Sequence, residues 1–275
     1  MTAKRALTGH RACKAIVVLA LTIFVLPVTA LPQVKGRAAA PLLDPQTGRP
    51  IIQNVIRYLD DLFRSDSSIA RLSLVVTRPR RTQTLEMKVW TRGTEKALVV
   101  IEKPERDAGT ATLKVGDNLW NYLPRIARTI RIPPSMMLSS WMGSDFTNDD
   151  LVRESSLLKD FDATLKGRSE EPKGWLVELT AKEGVVGLWQ RIEYIITPDA
   201  SLPVQAQYFD RKGRLARTLT FEDVREFSGR RIPSHMVLTP TDKKGQKTEM
   251  FYKEIVFDVN VPEDTFSLSR LEQNR

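Results

Sequence analysis

Between Leu72 and Val256 the chain repeats one unit many times over: a short apolar or alternating run, then a polar turn. Leu72, Leu74 and Val76 stand two apart, and the turn at Arg78–Arg81 leads into Leu85, Met87 and Val89 at the same spacing. A period of two is what a half-buried strand requires, because successive side chains point to opposite faces. The run Ala97–Ile101 is apolar on both faces and reads as a more buried strand. Thr112–Val115 and Leu119–Leu123 flank Gly116-Asp117, a hairpin turn signal. Further strands are expected at Leu157–Leu165, Trp175–Thr180, Trp189–Thr197, Val204–Phe209, Leu215–Val224, Ile232–Thr239 and Lys247–Val256. Strand after strand with few helices between them predicts an antiparallel sheet rather than βαβ units. The fold class is therefore mainly β (α+β), with about ten or eleven strands, enough to curl strongly or partly close into a barrel.

One amphipathic helix precedes this array. Ile51, Ile52, Val55, Ile56, Leu59, Leu62 and Phe63 recur at three-to-four spacing. That helix and a short one near Asn148–Glu154 are too little to cover so large a sheet. Two arrangements satisfy the pattern: a half-barrel whose concave face, lined by Leu, Val, Ile, Met and Trp, encloses an apolar cavity, or a solid sandwich-like core. Pattern alone does not choose between them.

The segment Pro133–Phe146 breaks the rule that connections are polar. It carries Met136, Met137, Leu138, Trp141, Met142 and Phe146. Long connections in compact domains are commonly lids or binding segments, and flexible Met side chains suit varied apolar shapes. Here too two readings stand: a gate over a cavity mouth, with Gly143 as hinge, or a permanent plug in the core.

Chemistry for bond making is sparse. After the first thirty residues the chain holds one histidine, His235, and no cysteine. A serine triad would need that histidine as base, and no nucleophile-elbow glycine pattern accompanies it. A zinc site of the usual ligands is not expected, nor is there a phosphate-cradling glycine loop. Asp145, Asp149, Asp150 and Glu154 do not follow calcium-loop spacing. They fit helix initiation, with Thr147 or Asn148 as N-cap and carboxylates in the first turn. Arg125, Arg128 and Arg131 stud a strand on which Arg128 shares a face with Ile126, Ile130 and Ile132. An arginine there must reach solvent, a carboxylate or an anionic headgroup. Neither catalysis nor a cofactor is expected.

Residues 1–30 have the form of a signal peptide. Lys4, Arg5, Arg11 and Lys14 precede an apolar run from Ala15 to Val28, and Val28-Thr29-Ala30 fits the small-residue cleavage pattern. The run is shorter than the roughly 20 residues that cross a bilayer. Cys13 leaves with the peptide, and so do four of the 42 basic residues, leaving 38 against 33 acidic ones, a net charge of +5. Apart from Arg78-Pro79-Arg80-Arg81 the charges are interspersed, which argues for a solvated surface and against a nucleic-acid partner. Residues 31–48, rich in Pro, Ala and Gln, read as a flexible lead-in, and 49–275 as a single domain.

The stretch Leu119-Trp120-Asn121-Tyr122-Leu123-Pro124, then Arg128-Thr129-Ile130-Arg131-Ile132, then Trp141-Met142-Gly143-Ser144-Asp145-Phe146, resembles a signature of the outer-membrane lipoprotein-sorting protein family, the LolA-like periplasmic carrier superfamily. Members carry W-x-Y-L-P, a basic strand and F-M-G-S-D-F; Trp141 here replaces the more usual Phe. The resemblance implies an incomplete antiparallel β-barrel wrapped over a few helices, with a cavity for acyl chains. It implies a monomeric periplasmic carrier of acyl chains of lipoprotein or phospholipid, loaded by an inner-membrane transporter of ABC or RND type. The competing expectation is an envelope sensor or adaptor that uses the same fold to contact a transmembrane partner. Residues expected to bind the ligand are Leu72, Leu74, Val76, Leu85, Met87, Val89, Trp120, Arg128, Met137, Trp141, Met142 and Phe146.

Export has a direct check. N-terminal sequencing of the mature protein is expected to start at Leu31 or within a few residues of it. An intact Met1 terminus in the membrane fraction would overturn the expectation.

Overall fold

The computed structural model describes residues 40–153, 157–185 and 187–273. The signal-peptide segment, residues 31–39 of the lead-in, and Glu154 lie outside the described residues. The rest of the lead-in forms a tight turn. The Asp44 carboxylate accepts from the Gln46 and Thr47 amides at 2.8 and 2.9 Å, Leu43 bridges to Pro50, and Asn54 Nδ2 donates to the Pro41 carbonyl at 2.9 Å.

The first half of the chain supplies β1 (Ser67–Arg78), β2 (Arg81–Arg92), β3 (Lys96–Lys103), β4 (Ala111–Val115), β5 (Asn118–Leu123) and β6 (Arg128–Arg131). The second half supplies β7 (Phe161–Glu170), β8 (Lys173–Ala181), β9 (Trp189–Ile196), β10 (Pro203–Asp210), β11 (Leu215–Phe227), β12 (Arg230–Pro240) and β13 (Lys247–Phe257). All 13 form one antiparallel sheet in the order β6-β5-β4-β3-β2-β1-β13-β12-β11-β10-β9-β8-β7. Each half is a meander of neighbours in sequence. The two join where β1 pairs β13, with Leu74 opposite Met250 and Val76 opposite Thr248. The edges, β6 and β7, do not pair with each other, so the barrel stays open.

The expected incomplete antiparallel barrel is thus the observed fold, with more strands than the ten or eleven expected. Two boundaries also move. Leu157–Asp160 forms a short helix, α3, ahead of β7, where a continuous strand Leu157–Leu165 was expected. Pro124–Ile126 forms a 3-10 turn that closes the β5–β6 hairpin, so the basic strand begins only at Arg128. Proline fixes φ and lacks an N–H, which suits it to a turn start and not to a ladder.

Period two divides β1–β3 between two cores. Leu72, Leu74, Met87 and Val177 belong to the principal, concave core, while Leu98, Leu113 and Tyr122 face the convex side. Helix α1 (Ile52–Asp61) inserts Val55 and Ile56, both fully buried, into the concave core, and Phe63 just after it stacks on Tyr252 at 5.4 Å. Each such side chain contributes about 1.5–3 kcal/mol. The convex core is capped by the C-terminal segment through Val261, Phe266 and Leu271, the last on helix α4 (Leu268–Glu272).

The connection from β6 to β7 must cross from one sheet edge to the other, and it does so over the concave face. Trp141 and Phe146 are 3% and 7% exposed in the principal core, whereas Met136 and Leu138 of the same connection are 47% and 54% exposed. Three polar anchors fix it. Trp141 Nε1 donates to Thr112 Oγ1 on β4 at 3.1 Å. Asp145, 3% exposed, accepts from Arg78 Nη1 at 2.9 Å and from Thr248 Oγ1 at 2.7 Å, tying the crossover to β1 and β13. Helix α2 (Asn148–Arg153) starts at Thr147, whose Oγ1 accepts from the Asp150 amide at 3.2 Å while Asp150 Oδ2 accepts from the Thr147 amide at 2.8 Å. This reciprocal box makes Thr147 the N-cap of the two candidates.

Asp150 also accepts two hydrogen bonds from Arg217 on β11, at 2.6 and 2.7 Å. Both side chains are buried, and the guanidinium lies 4.3 Å from the Trp189 and the Tyr208 rings. A charge pair this deep is costly to break from one side, because the survivor stays desolvated. Arg217→Met is expected to lower stability by about 3–5 kcal/mol, and a double variant with Asp150→Asn to recover part of the loss. Urea denaturation reads both; a single variant as stable as wild type would show that the crossover is held by other contacts.

Candidate functional site

The crossover and α1 do not fill the concave face. Between them and the sheet lies a cavity of about 250 Å³, just below the roughly 300–1,000 Å³ of common ligand pockets. Register decides what lines it. Ser68 pairs with Thr91, Ala70 with Val89 and Leu72 with Met87, so all six present side chains to one face, as do Ala97 and Val99 of β3 with Thr112 and Lys114 of β4. Tyr194, Leu219, Phe221, Met236, Met250 and Tyr252 complete the wall from the second half of the sheet.

The cavity is graded along the strands. Leu72, Met87, Trp141 and Phe146 form an apolar floor. At the other end the start of β1, the end of β2, the start of β3 and the end of β4 come together by register, and the turn after α1 joins them. This end is polar. Ser68 and Thr91 hydroxyls pair at 2.7 Å, and Lys114, 5% exposed, donates from Nζ to the Thr94 carbonyl at 2.6 Å. Asp60 and Arg64 line the same end.

Burial dominates the electrostatics here. It pushes the Asp60 carboxyl up to about 7, against the opposing pull of Arg64 and of the Leu157 and Leu158 amides. Asp60 Oδ1 accepts no hydrogen bond among the described groups. Burial pulls the Lys114 ammonium down to about 8, with Arg64 its strongest charged neighbour. A titratable pair perturbed by desolvation inside a cavity marks a candidate site. Among the described residues no cluster of three or more metal-ligating side chains occurs.

Of the residues expected from sequence, Leu72, Met87, Val89, Trp141 and Phe146 line the cavity. Leu74, Val76 and Leu85 share the concave face but are packed into the solid core toward the Arg78 end, where Asp145 docks. Met142, at φ 51°, packs partly buried against that core, and Met137 packs on Leu119 and Ile132. Trp120 faces the convex core, since it alternates with Leu119. Arg128 stands exposed at the start of the edge strand beside Ile126 and Ile130, 57% and 42% exposed, and among the described residues it neither lines the cavity nor pairs with a carboxylate. The shortened strand removes the shared face on which Arg128 was singled out.

The polar end escaped the sequence reading, although it left two marks. Lys114 has the parity of Thr112 in an otherwise apolar strand, and Asp60 falls four residues after Ile56 on the apolar stripe of α1. His235 lies apart from the cavity lining, between Glu222 and Glu249 at 3.2 Å each and stacked on Phe251.

Asp60 makes a pH-dependent contribution to stability. With a pKa raised from 3.8 to about 7, the native state keeps a proton that the unfolded chain releases, so stability falls as pH rises through that window. Asp60→Asn removes the titration. The stability difference between variant and wild type is expected to move in the variant's favour from pH 4 to pH 7 in denaturation curves, and a pH-independent difference would refute the assignment.

Comparison with known proteins adds the fold and the family. A family model described as "Uncharacterized protein" matches residues 93–273. Among curated proteins none matches the sequence. A DUF1329 family protein from Desulfovibrio piger superposes with TM-score 0.72 at 23% identity, over 79% of this chain and 95% of that one. A domain assigned by name to outer membrane lipoprotein sorting, from Vibrio parahaemolyticus, gives 0.70 at 20% identity, over 81% and 98%. A LolA superfamily protein from Nitrosomonas europaea gives 0.68 at 21% identity, over 80% and 98%. At these identities the shared feature is the fold, and it is the LolA-type open barrel that the sequence signature implied.

Proposed function

This chain belongs to the family whose model spans residues 93–273, and on that premise we propose that it is an exported carrier of acyl chains. It works in the periplasm, in outer-membrane lipoprotein sorting or another envelope lipid transfer, and makes or breaks no bond. The observation that supports this most is the cavity itself: an apolar floor of Leu72, Met87, Trp141 and Phe146 enclosed between an open barrel and its inserted crossover. Each methylene buried there contributes about 0.8 kcal/mol. A cavity of about 250 Å³ takes a full-length chain only if its lining gives way. The anchored crossover makes the flexible Met side chains of the wall, Met87, Met236 and Met250, the first to repack.

A second reading rests on the surface. Ile126 and Ile130 are exposed on and just before edge strand β6, among Arg125, Arg128 and Arg131, and Met136 is exposed in the connection that follows. Such a patch suits contact with a protein partner. It serves equally a transporter of ABC or RND type that loads a carrier and a regulator contacted by an adaptor.

Filling the cavity tests the carrier. A fluorescent fatty acid is expected to bind the wild type and to lose at least tenfold in affinity to Ala70→Phe, which places a ring where Ala70 lines the wall. Thermal unfolding verifies that the variant is folded. Equal binding by both proteins, or none by wild type, would sink the carrier reading. An Ile126→Asp variant leaves probe binding intact and weakens only partner capture if the surface patch is an interface.

A further inference from the structure

The cavity has two ends of opposite character, and its ligand class follows from that. At one end stand Trp141 and Phe146, buried and aromatic; at the other, Lys114 and Arg64 with Asp60. We propose that this polar end is a headgroup site, and that the carried molecule is an anionic amphiphile: an alkyl chain ending in a carboxylate or a phosphate monoester. The proposal rests on the carrier reading and names the cargo that reading leaves open.

The geometry sets the orientation. Lys114 projects from the end of β4 into the cavity, and the Thr94 carbonyl at 2.6 Å holds its ammonium in place. Arg64 reaches the same space from the turn after α1. A headgroup there would meet two cations in a site of low dielectric, where charge-assisted hydrogen bonds are strongest. The alkyl chain would then run down the concave face past Ala70, Leu72 and Met87 toward Trp141. Asp60 does not oppose an anion there: burial favours the neutral form of its carboxyl, whose O–H can donate to a headgroup oxygen. The Ser68 and Thr91 hydroxyls add two neutral groups to the same rim.

The site lies on the opposite side of the fold's logic from Arg128, which is exposed on an edge strand.

Three ligands of one chain length separate the possibilities: myristate, 1-myristoyl-glycerol-3-phosphate and myristyl alcohol, titrated calorimetrically at pH 7. Wild type is expected to bind the two anions about tenfold or more tighter than the alcohol. Lys114→Met is expected to bring that ratio close to one while alcohol binding stays. Arg64→Gln, at the rim, gives an independent reading of the same ratio should Lys114→Met fail to fold. Equal affinity of wild type for all three overturns the headgroup site and leaves the carrier standing, and so does a ratio unchanged in both variants. Binding of none of the three overturns the carrier reading and the headgroup site together. Displacement of myristate by millimolar inorganic phosphate would assign the cations to a free anion and overturn the amphiphile; the expected result is no displacement.

Discussion

An antiparallel sheet that stops short of closing has two edges, and one chain segment must travel from the first to the last. In this protein that constraint organises everything else. The crossover between β6 and β7 takes the concave route, so it has to bring its own apolar side chains and its own anchors. Trp141 and Phe146 supply the first. Asp145, bound to Arg78 and Thr248, and Asp150, bound to Arg217, supply the second. The anchors reach β1, β11 and β13, so a single segment braces both halves of the sheet across the seam where β1 meets β13.

The bracing also explains where the cavity lies. Asp145 draws the crossover toward the Arg78 end of β1, and there Leu74, Val76 and Leu85 are packed solid. The opposite end of the same strands keeps space, and its rim is polar because hairpin ends and the turn after α1 converge there. A cavity apolar at one end and cationic at the other is a consequence of covering an open sheet unevenly. The anchors also weigh against a freely swinging gate: moving Trp141 and Phe146 would break the bonds of Asp145 to Arg78 and Thr248. Repacking of the methionines is cheaper.

Much of this was legible beforehand. Alternation at Leu72–Val76 and Leu85–Val89 gave the strands and put their apolar residues on one face, and register confirmed it by pairing Leu72 with Met87. The helix stripe Val55–Ile56–Leu59 and a cap at Thr147 or Asn148 were readable for the same reason, and the structure selects Thr147: helix and strand periods and caps are set by residues a few positions apart. The errors were equally local. Pro124 turned an expected strand into a 3-10 turn, which stranded Arg128 on the surface.

What the sequence by itself determined is the division of each strand into two faces and the family signature that goes with the open barrel. Only the tertiary structure decided which face encloses space, that Trp120 belongs to the convex core, and that Lys114, Asp60 and Arg64 stand together at one end of a cavity. Asp60 and Arg64 stand four apart at the end of α1 and in the turn after it, but nothing in the spacing relates either to Lys114 on β4. They meet because strand register aligns the ends of β1 to β4 and because α1 leads straight into β1. Period two is a property of neighbours along a strand, whereas a cavity is what remains after distant segments have packed, and its size depends on every one of them.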